Sequence, residues 1–325
     1  MAAVSNHLLA AASRVWQDVG PEFAKESTAV SEAKAPNGDA VSTDELKKVA
    51  TWMEHTVTKF SASASVADAK DHEGLKPIAA EVVKAFTATL GTLLSMRRCA
   101  GPSLSRELLE VARDLAAAID ALGAAAQAER HPLLAQSAGK ALERIKQIEK
   151  LSPHNHASIR RRILQSLAQL RDANRELKEA LSADSGDGAD SEGDGDSIFG
   201  DEAIAPEERA VLEALAAAVT EVEETLMKAS KACVPSASVG DHADPIDTLE
   251  ALEETAVQGA LVAHAVDGVA AHAMGGLEVE EVTEGLGKLR SVIQGLAAAR
   301  GDSEGKLLSA VETLQTAVDI AAKES

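Results

Sequence analysis

Apolar residues recur every three or four positions along most of the chain, which is the spacing of one face of an α-helix. The first such stretch runs from about Ala3 to Val19, and Gly20-Pro21 is expected to end it because proline disrupts a helix interior. A second stretch begins at Ser42, where Glu45 completes the spacing of a capping box. The pattern therefore predicts two helices separated by a polar connector.

The same periodicity predicts four further helices before residue 183 and four after residue 205. Proline is tolerated in a first helical turn, so several prolines mark the expected starts. These starts are Pro77, Pro132, Pro153 and Pro206, with a corner at Gly101-Pro102. The helix that begins at Pro206 is expected to reach Cys233, and the last three are expected at about 245–273, 277–299 and 303–323.

Composition supports the helical interpretation. The chain has four Phe, two Trp and no Tyr among 325 residues, and alanine is its commonest residue. Sheets favour aromatic and β-branched side chains, whereas alanine has the highest helix propensity. The predicted fold class is all-α, with two antiparallel helical bundles joined by a flexible acidic linker.

The linker is predicted from a run of Asp, Gly, Ser and Glu that has almost nothing to bury and cannot repay its ordering entropy. The predicted divisions are 1–41 for an N-terminal helix and polar connector, 42–182 for the N-terminal bundle, 183–205 for the linker and 206–325 for the C-terminal bundle. Which helices share a bundle stays open at this point, since terminal helices can return to complete the other half.

Charge, cysteine content and hydropathy bear on nucleic-acid binding, on the redox compartment and on membrane insertion. A formal net charge of -20 repels a phosphate backbone, so direct nucleic-acid binding is not expected. The two cysteines, Cys99 and Cys233, lie far apart in sequence, which favours a reducing compartment over a disulfide-stabilised fold. By inspection, no apolar stretch reaches the length needed to span a bilayer, so no membrane helix is expected.

The sequence offers no recognisable catalytic or cofactor motif. A di-iron bundle needs Glu-x-x-His on two helices, and none of the nine histidines has Glu three positions before it. No phosphate loop or dinucleotide fingerprint is present. We therefore predict a non-enzymatic protein with no cofactor and no metal.

Two histidine pairs could nevertheless hold a metal, namely His154 with His156 and His264 with His272. Structural zinc needs four ligands at short spacings, and the cysteines are distant in sequence. Solvated or helix-terminal histidines are the preferred interpretation.

The acidic linker contains a pattern that resembles an EF-hand calcium loop. Its candidate ligands are Asp190, Glu192, Asp194, Asp196 and Asp201. Such a loop ends in a bidentate Glu, but the twelfth position here is Asp201, and the usual apolar eighth residue is Ser197. A solvated acidic tether is the alternative interpretation.

Ser191 lies in the same run and has an acid three residues on, at Asp194, which suits acid-directed phosphorylation. A phosphate would add charge to an already acidic segment. An unmodified tether is the equal alternative.

A long apolar stripe on the sixth predicted helix is a candidate partner-binding surface. It comprises Ile159, Ile163, Leu170 and Leu177. Helix docking uses apolar anchors at this kind of spacing, although a bundle core requires the same pattern.

Two local runs resemble the cyclin-D-binding (Grap2 and cyclin-D interacting) family. One is Met227-Lys-Ala-Ser-Lys-Ala-Cys233, which is similar to an Arg-Ala-Ser-Lys-Ala-Cys run that follows the family's acidic linker. The other is Val83-Lys-Ala-Phe86 with its leucine-rich continuation. Weaker likeness extends over about 50–181 and 207–273.

The resemblance implies a helical protein of cytoplasm and nucleus that binds D-type cyclins and helix-loop-helix transcription factors. It also implies a role in restraining cell-cycle progression and transcription. A cytoskeletal or adhesion-type helical scaffold is the alternative from another class, since fold alone does not separate the two. A calcium-responsive switch through the acidic linker is the third hypothesis.

Overall fold

The structure is a computed structural model. It describes residues 2–24, 43–66, 72–98, 100–127, 131–183, 204–234, 248–274, 277–300 and 305–324.

Ten helices and no strand make up the described part of the chain, which confirms the all-α prediction. Their bounds are α1 Ala2–Ala24, α2 Thr43–Val66, α3 His72–Arg97, α4 Pro102–Gln127, α5 His131–Ile148, α6 Asn155–Ala183, α7 Pro206–Ala232, α8 Leu249–Met274, α9 Val279–Arg300 and α10 Lys306–Glu324.

The chain divides by its contacts into two compact units, Met1–Ser158 and Ile159–Ser325. In the first unit α2 packs against α3 and α5, α4 packs against α5, and α1 packs against both α3 and α4. Three phenylalanines and a methionine are its largest buried side chains, namely Phe23, Phe60, Phe86 and Met53. Small alanines between them let the helices approach closely.

In the second unit α7 packs against α8, α8 against α9 and α9 against α10, while α10 returns to α7. The buried residues are mainly Leu, Val, Ile and Ala, and they form one cluster with the apolar face of α6. Gly259 of α8 permits a close approach to α7, since a Cβ there would lie 2.9 Å from Leu226 Cδ2.

The packing division differs from the predicted one. The acidic run that begins at 183 suggested a first bundle that ends at 182, with α6 inside it. In the structure α6 from Ile159 onward shares its core with α7–α10. The hydrophobic stripe of α6 has the same pattern whichever partners it meets, so sequence periodicity cannot assign it to a unit.

The prediction that Gly20-Pro21 ends the first helix is wrong, because α1 continues to Ala24 with Pro21 inside it. Trp16 lies over the bare Gly20, where a Cβ would be 3.2 Å from its Cε2. Trp16 also stacks on the buried Phe23, with ring centroids 6.2 Å apart. Burial of Phe23 offsets the backbone hydrogen bond that Pro21 removes.

The prediction that no apolar stretch reaches membrane-spanning length is also wrong. Gly74–Arg97, most of α3, is 24 residues long and apolar enough to cross a membrane by length and composition alone. A core helix of a water-soluble bundle meets the same criterion. In this structure Val82, Phe86 and Leu90 of α3 are buried in the core of the first unit.

Candidate protein-interaction surface

The stripe predicted as a partner surface lies in the interior of the second unit. Ile159, Ile163, Leu170 and Leu177 each have 0% of their surface exposed. They pack with residues of α7–α10, so a partner cannot reach them while the bundle is closed. Their spacing is that of residues in a helical-bundle core, which was the alternative explanation of the stripe.

Polar contacts join α6 to α7 beside that core. The amide of Asn174 is buried, and its Nδ2 donates to Glu223 Oε1 at 2.8 Å. Arg171 Nε lies 3.6 Å from Glu223 Oε2. These contacts border a shallow cleft of about 480 Å³ whose other lining residues include Arg175 and Lys178. Because acids and bases alternate along it and pair with each other, the cleft is a weak candidate for a charged ligand.

The corner before α6 is fixed to the start of α4. Glu107 accepts hydrogen bonds from the hydroxyls of Ser152 and Ser158, at 3.0 and 2.6 Å. Asn155 Oδ1 accepts the backbone N–H of Gly101 at 2.7 Å. The serines are buried, so this carboxylate satisfies donors that would otherwise lose their solvation.

The histidine pair at this corner has a structural role. His154 Nδ1 accepts the backbone N–H of Ala157 at 3.2 Å, which caps the first turn of α6. The rings of His154 and His156 meet edge to face with centroids 6.3 Å apart. Burial, and then the charge of His154, lower the pKa of His156. A nitrogen engaged as a helix cap is less available to a metal.

The second histidine pair, His264 and His272, does not form a shared site either. His272 Nδ1 lies 2.6 Å from Glu278 Oε2 across the corner between α8 and α9. His264 does not share that contact. Within the described residues, no group of three or more His, Cys, Asp or Glu side chains is placed to hold a metal ion.

The acidic-linker candidates lie outside the described residues. These are the calcium-loop residues Asp190, Glu192, Asp194, Asp196 and Asp201, and the phosphorylation candidate Ser191. They stay predictions from the sequence.

A groove between α2 and α3 is a better candidate for partner binding. Its volume is about 640 Å³, and it is open along its length. The α3 side is lined by small residues at helical spacing, namely Ala88, Gly91, Thr92 and Ser95. The α2 side is lined by Glu45, Lys48 and Val49. A Cβ added at Gly91 would meet nothing within 4 Å, so the wall of the groove is bare there.

Trp52 lies on the face of α2 that carries the groove residues Lys48 and Val49. It lies three residues after Val49 and four after Lys48, and therefore on the same helix face. Its side chain is 41% exposed, unlike Phe60 on the same helix, which is 1% exposed. Tryptophan is enriched among the residues that dominate binding energy at protein interfaces.

Apolar periodicity alone groups Trp52 with core residues of α2 such as Phe60, so it does not identify Trp52 as exposed. The core positions of α2 form a complete stripe without Trp52, namely Leu46, Ala50, Met53, Val57, Phe60 and Ala64. Trp52 lies next to Met53 and is rotated by about 100° from it. The positions of all six core residues in the sequence are enough to show this offset.

The described part of the chain is thus all-helical, with an open groove between α2 and α3. Residues 45–183 match the family described as Grap2 and cyclin-D-interacting, N-terminal. This part of the chain, α2 to α6, is thus similar to the N-terminal domain of that family. No curated protein matches the chain.

The matched segment begins in α2 and ends with α6. It includes every lining residue of the α2–α3 groove. It omits α1, although α1 packs against α3 and α4 in the first unit.

Proposed function

We propose that this protein is a non-enzymatic regulatory module that binds other proteins, with a D-type cyclin as its partner. The observation that carries this proposal is the family match over 45–183, whose description names cyclin-D interaction. Regulation of cell-cycle progression, or of helix-loop-helix transcription factors, in cytoplasm and nucleus is the corresponding cellular role.

The α2–α3 groove is the proposed docking site. The small side chains on the α3 side leave a channel beside α2 in which a partner helix can approach closely. Trp52 supplies a large apolar anchor at one end, while Glu45 and Lys48 supply opposite charges at the other. This arrangement suits an amphipathic helix with polar residues along its edges.

Charge supports a protein partner over a nucleic acid. The net charge of -20 opposes contact with phosphate backbones. The groove also lacks the convergent titratable groups of a catalytic pocket, because Glu45 and Lys48 are the charged residues that line it.

The test is binding of a purified D-type cyclin to the full chain, measured by titration calorimetry. Trp52→Ala should weaken binding by roughly tenfold or more. Val66→Ala is the matched control, since Val66 is an 84% exposed apolar residue at the far end of the same helix. It should leave the affinity unchanged.

A second variant fills the groove. A Cβ at Gly91 meets nothing within 4 Å and leucine has a higher helix propensity than glycine, so Gly91→Leu should preserve the fold while it obstructs docking. Circular dichroism checks the fold. Wild-type protein that binds neither a D-type cyclin nor a helix-loop-helix factor overturns the function, whereas binding that both variants leave intact overturns only the site.

A further inference from the structure

Helix α1 covers a helical face of the family domain from outside it. α1 packs against α3 and α4 and makes no substantial contact with α2 or α5 among the described residues. α3 and α4 lie within the matched segment 45–183, but α1 precedes it, and residues 25–42 separate α1 from α2. The α3–α4 face is therefore one that accepts a helix.

The seated helix shows what this face recognises. Ala12 and Phe23 of α1 are buried, and Val15, Trp16 and Val19 are partly buried against the same core. Their spacings of three or four residues form one apolar stripe with two aromatic anchors. Arg14, Gln17 and Asp18, on the opposite side, are exposed. An amphipathic helix with this pattern matches the face.

Two features weaken the attachment of α1 to this face, and one contact strengthens it. Pro21 removes one backbone hydrogen bond from its last turn. Ser13 Oγ donates to Asp120 Oδ1 at 3.2 Å, and burial raises the pKa of that carboxyl, so the contact includes a desolvated charge. Arg97 Nη1 of α3 donates to the carbonyl of Glu22 at 2.6 Å, and this contact holds the C-terminal end of α1 in place.

We infer that the α3–α4 face is a second helix-docking surface that α1 occupies in the same molecule, and that an amphipathic helix of a partner protein displaces α1. The displaced helix serves as the template for the partner: apolar residues at spacings of three and four, with two aromatic anchors seven residues apart, like Trp16 and Phe23. The existence of a partner rests on the proposed protein-binding function, whereas the release of α1 does not.

The first test is hydrogen exchange on the full-length protein. If α1 opens by itself, its amides exchange through a local opening with a lower free energy than the amides of α3 and α4. Protection of α1 equal to that of α3 and α4, with the same response to denaturant, overturns the inference. In that case α1 is an inseparable part of the core.

The second test is binding of a fluorescent peptide of residues 2–24 to the full chain, followed by anisotropy. In the wild type the attached α1 competes, so the peptide should bind weakly. Phe23→Ala in the full chain removes the buried anchor of the attached helix and should tighten peptide binding by roughly tenfold, because more molecules have a vacant face.

Two controls make this experiment decisive. Gln17→Ala, on the exposed side of α1, should leave peptide affinity at the wild-type value. A peptide that itself carries Phe23→Ala should not bind either chain. Trp16→Ala is the second variant, in case Phe23→Ala lowers the helix content of the whole chain. Equal peptide affinity for the wild type and both anchor variants overturns the inference, and no cyclin is needed to reach that result.

Discussion

The guanidinium of Arg97, in the last turn of α3, donates from Nη1 to the backbone carbonyl of Glu22 in α1 at 2.6 Å. A cation that satisfies a helix C-terminal carbonyl also interacts favourably with the helix dipole. Arg97→Ala should lower the free energy of unfolding by about 1.5–3 kcal/mol, the usual range for a hydrogen bond that involves a charged group. Urea denaturation followed by circular dichroism measures it.

Arg98→Ala is the control for this prediction, since Arg98 is exposed at the same helix end. It should change stability by less than about 0.5 kcal/mol. Equal effects of the two substitutions would show that the Glu22 contact contributes nothing.

The buried stripe of α6 predicts a contrast between two leucines. Leu170→Ala removes a side chain with no exposed surface and should cost about 2–5 kcal/mol. Leu164→Ala, on the same helix but 40% exposed, should cost under about 1 kcal/mol. Thermal and denaturant unfolding of both variants tests whether α6 packs through this face, and a larger loss at Leu164 would contradict the observed packing.

Two glycines of α8 predict different effects of the same substitution on stability. Gly268 is exposed, and a Cβ there would meet nothing within 4 Å, so Gly268→Ala should stabilise by about 0.5–1 kcal/mol through helix propensity. At Gly259 the new Cβ would lie 2.9 Å from Leu226 Cδ2, so Leu226 must move and the gain is lost. The melting temperature of Gly268→Ala should therefore be higher than that of the wild type, and that of Gly259→Ala should not.

Asp120 makes the stability of the first unit depend on pH. Burial raises the pKa of this carboxyl above 3.8, and the hydrogen bond from Ser13 offsets part of the increase. Below pH 3.8 the group is protonated in both the folded and unfolded states. As the pH rises through the folded pKa, the folded protein must carry a partly desolvated charge, so the contribution of Asp120 to stability falls.

Asp120→Asn should therefore melt at a higher temperature than the wild type at neutral pH, and the difference should shrink towards zero near pH 3. The difference between the two proteins isolates this group from other carboxyls that titrate in the same range. A difference that is constant with pH would mean that the charge of Asp120 is not the cause.

Much of the fold was predictable from local pattern. The starts of α2 and α7 follow a capping-box spacing and a proline next to acids, both of which act within one helical turn. The end of α1 was not predictable, because the stacking of Trp16 on Phe23 and the contact of Arg97 with Glu22 decide it. Those contacts join residues that are close only after folding.

The candidate site was less accessible from the sequence. Leu170 and Trp52 both belong to apolar patterns, but the first is buried and the second is 41% exposed. Periodicity identifies the apolar face of a helix and does not say which other helix covers it. The assignment of α6 to the second unit depends on that missing information.

The limits of the family segment do not coincide with the limits of packing. A polypeptide cut at 45 and 183 would lack α1 over α3 and α4, and it would lack α7–α10 over Ile159 and Leu170. Large bare apolar faces promote self-association in water. Such a fragment would aggregate or bind unrelated proteins non-specifically, so a pull-down with it would return false positives that the whole chain does not bind.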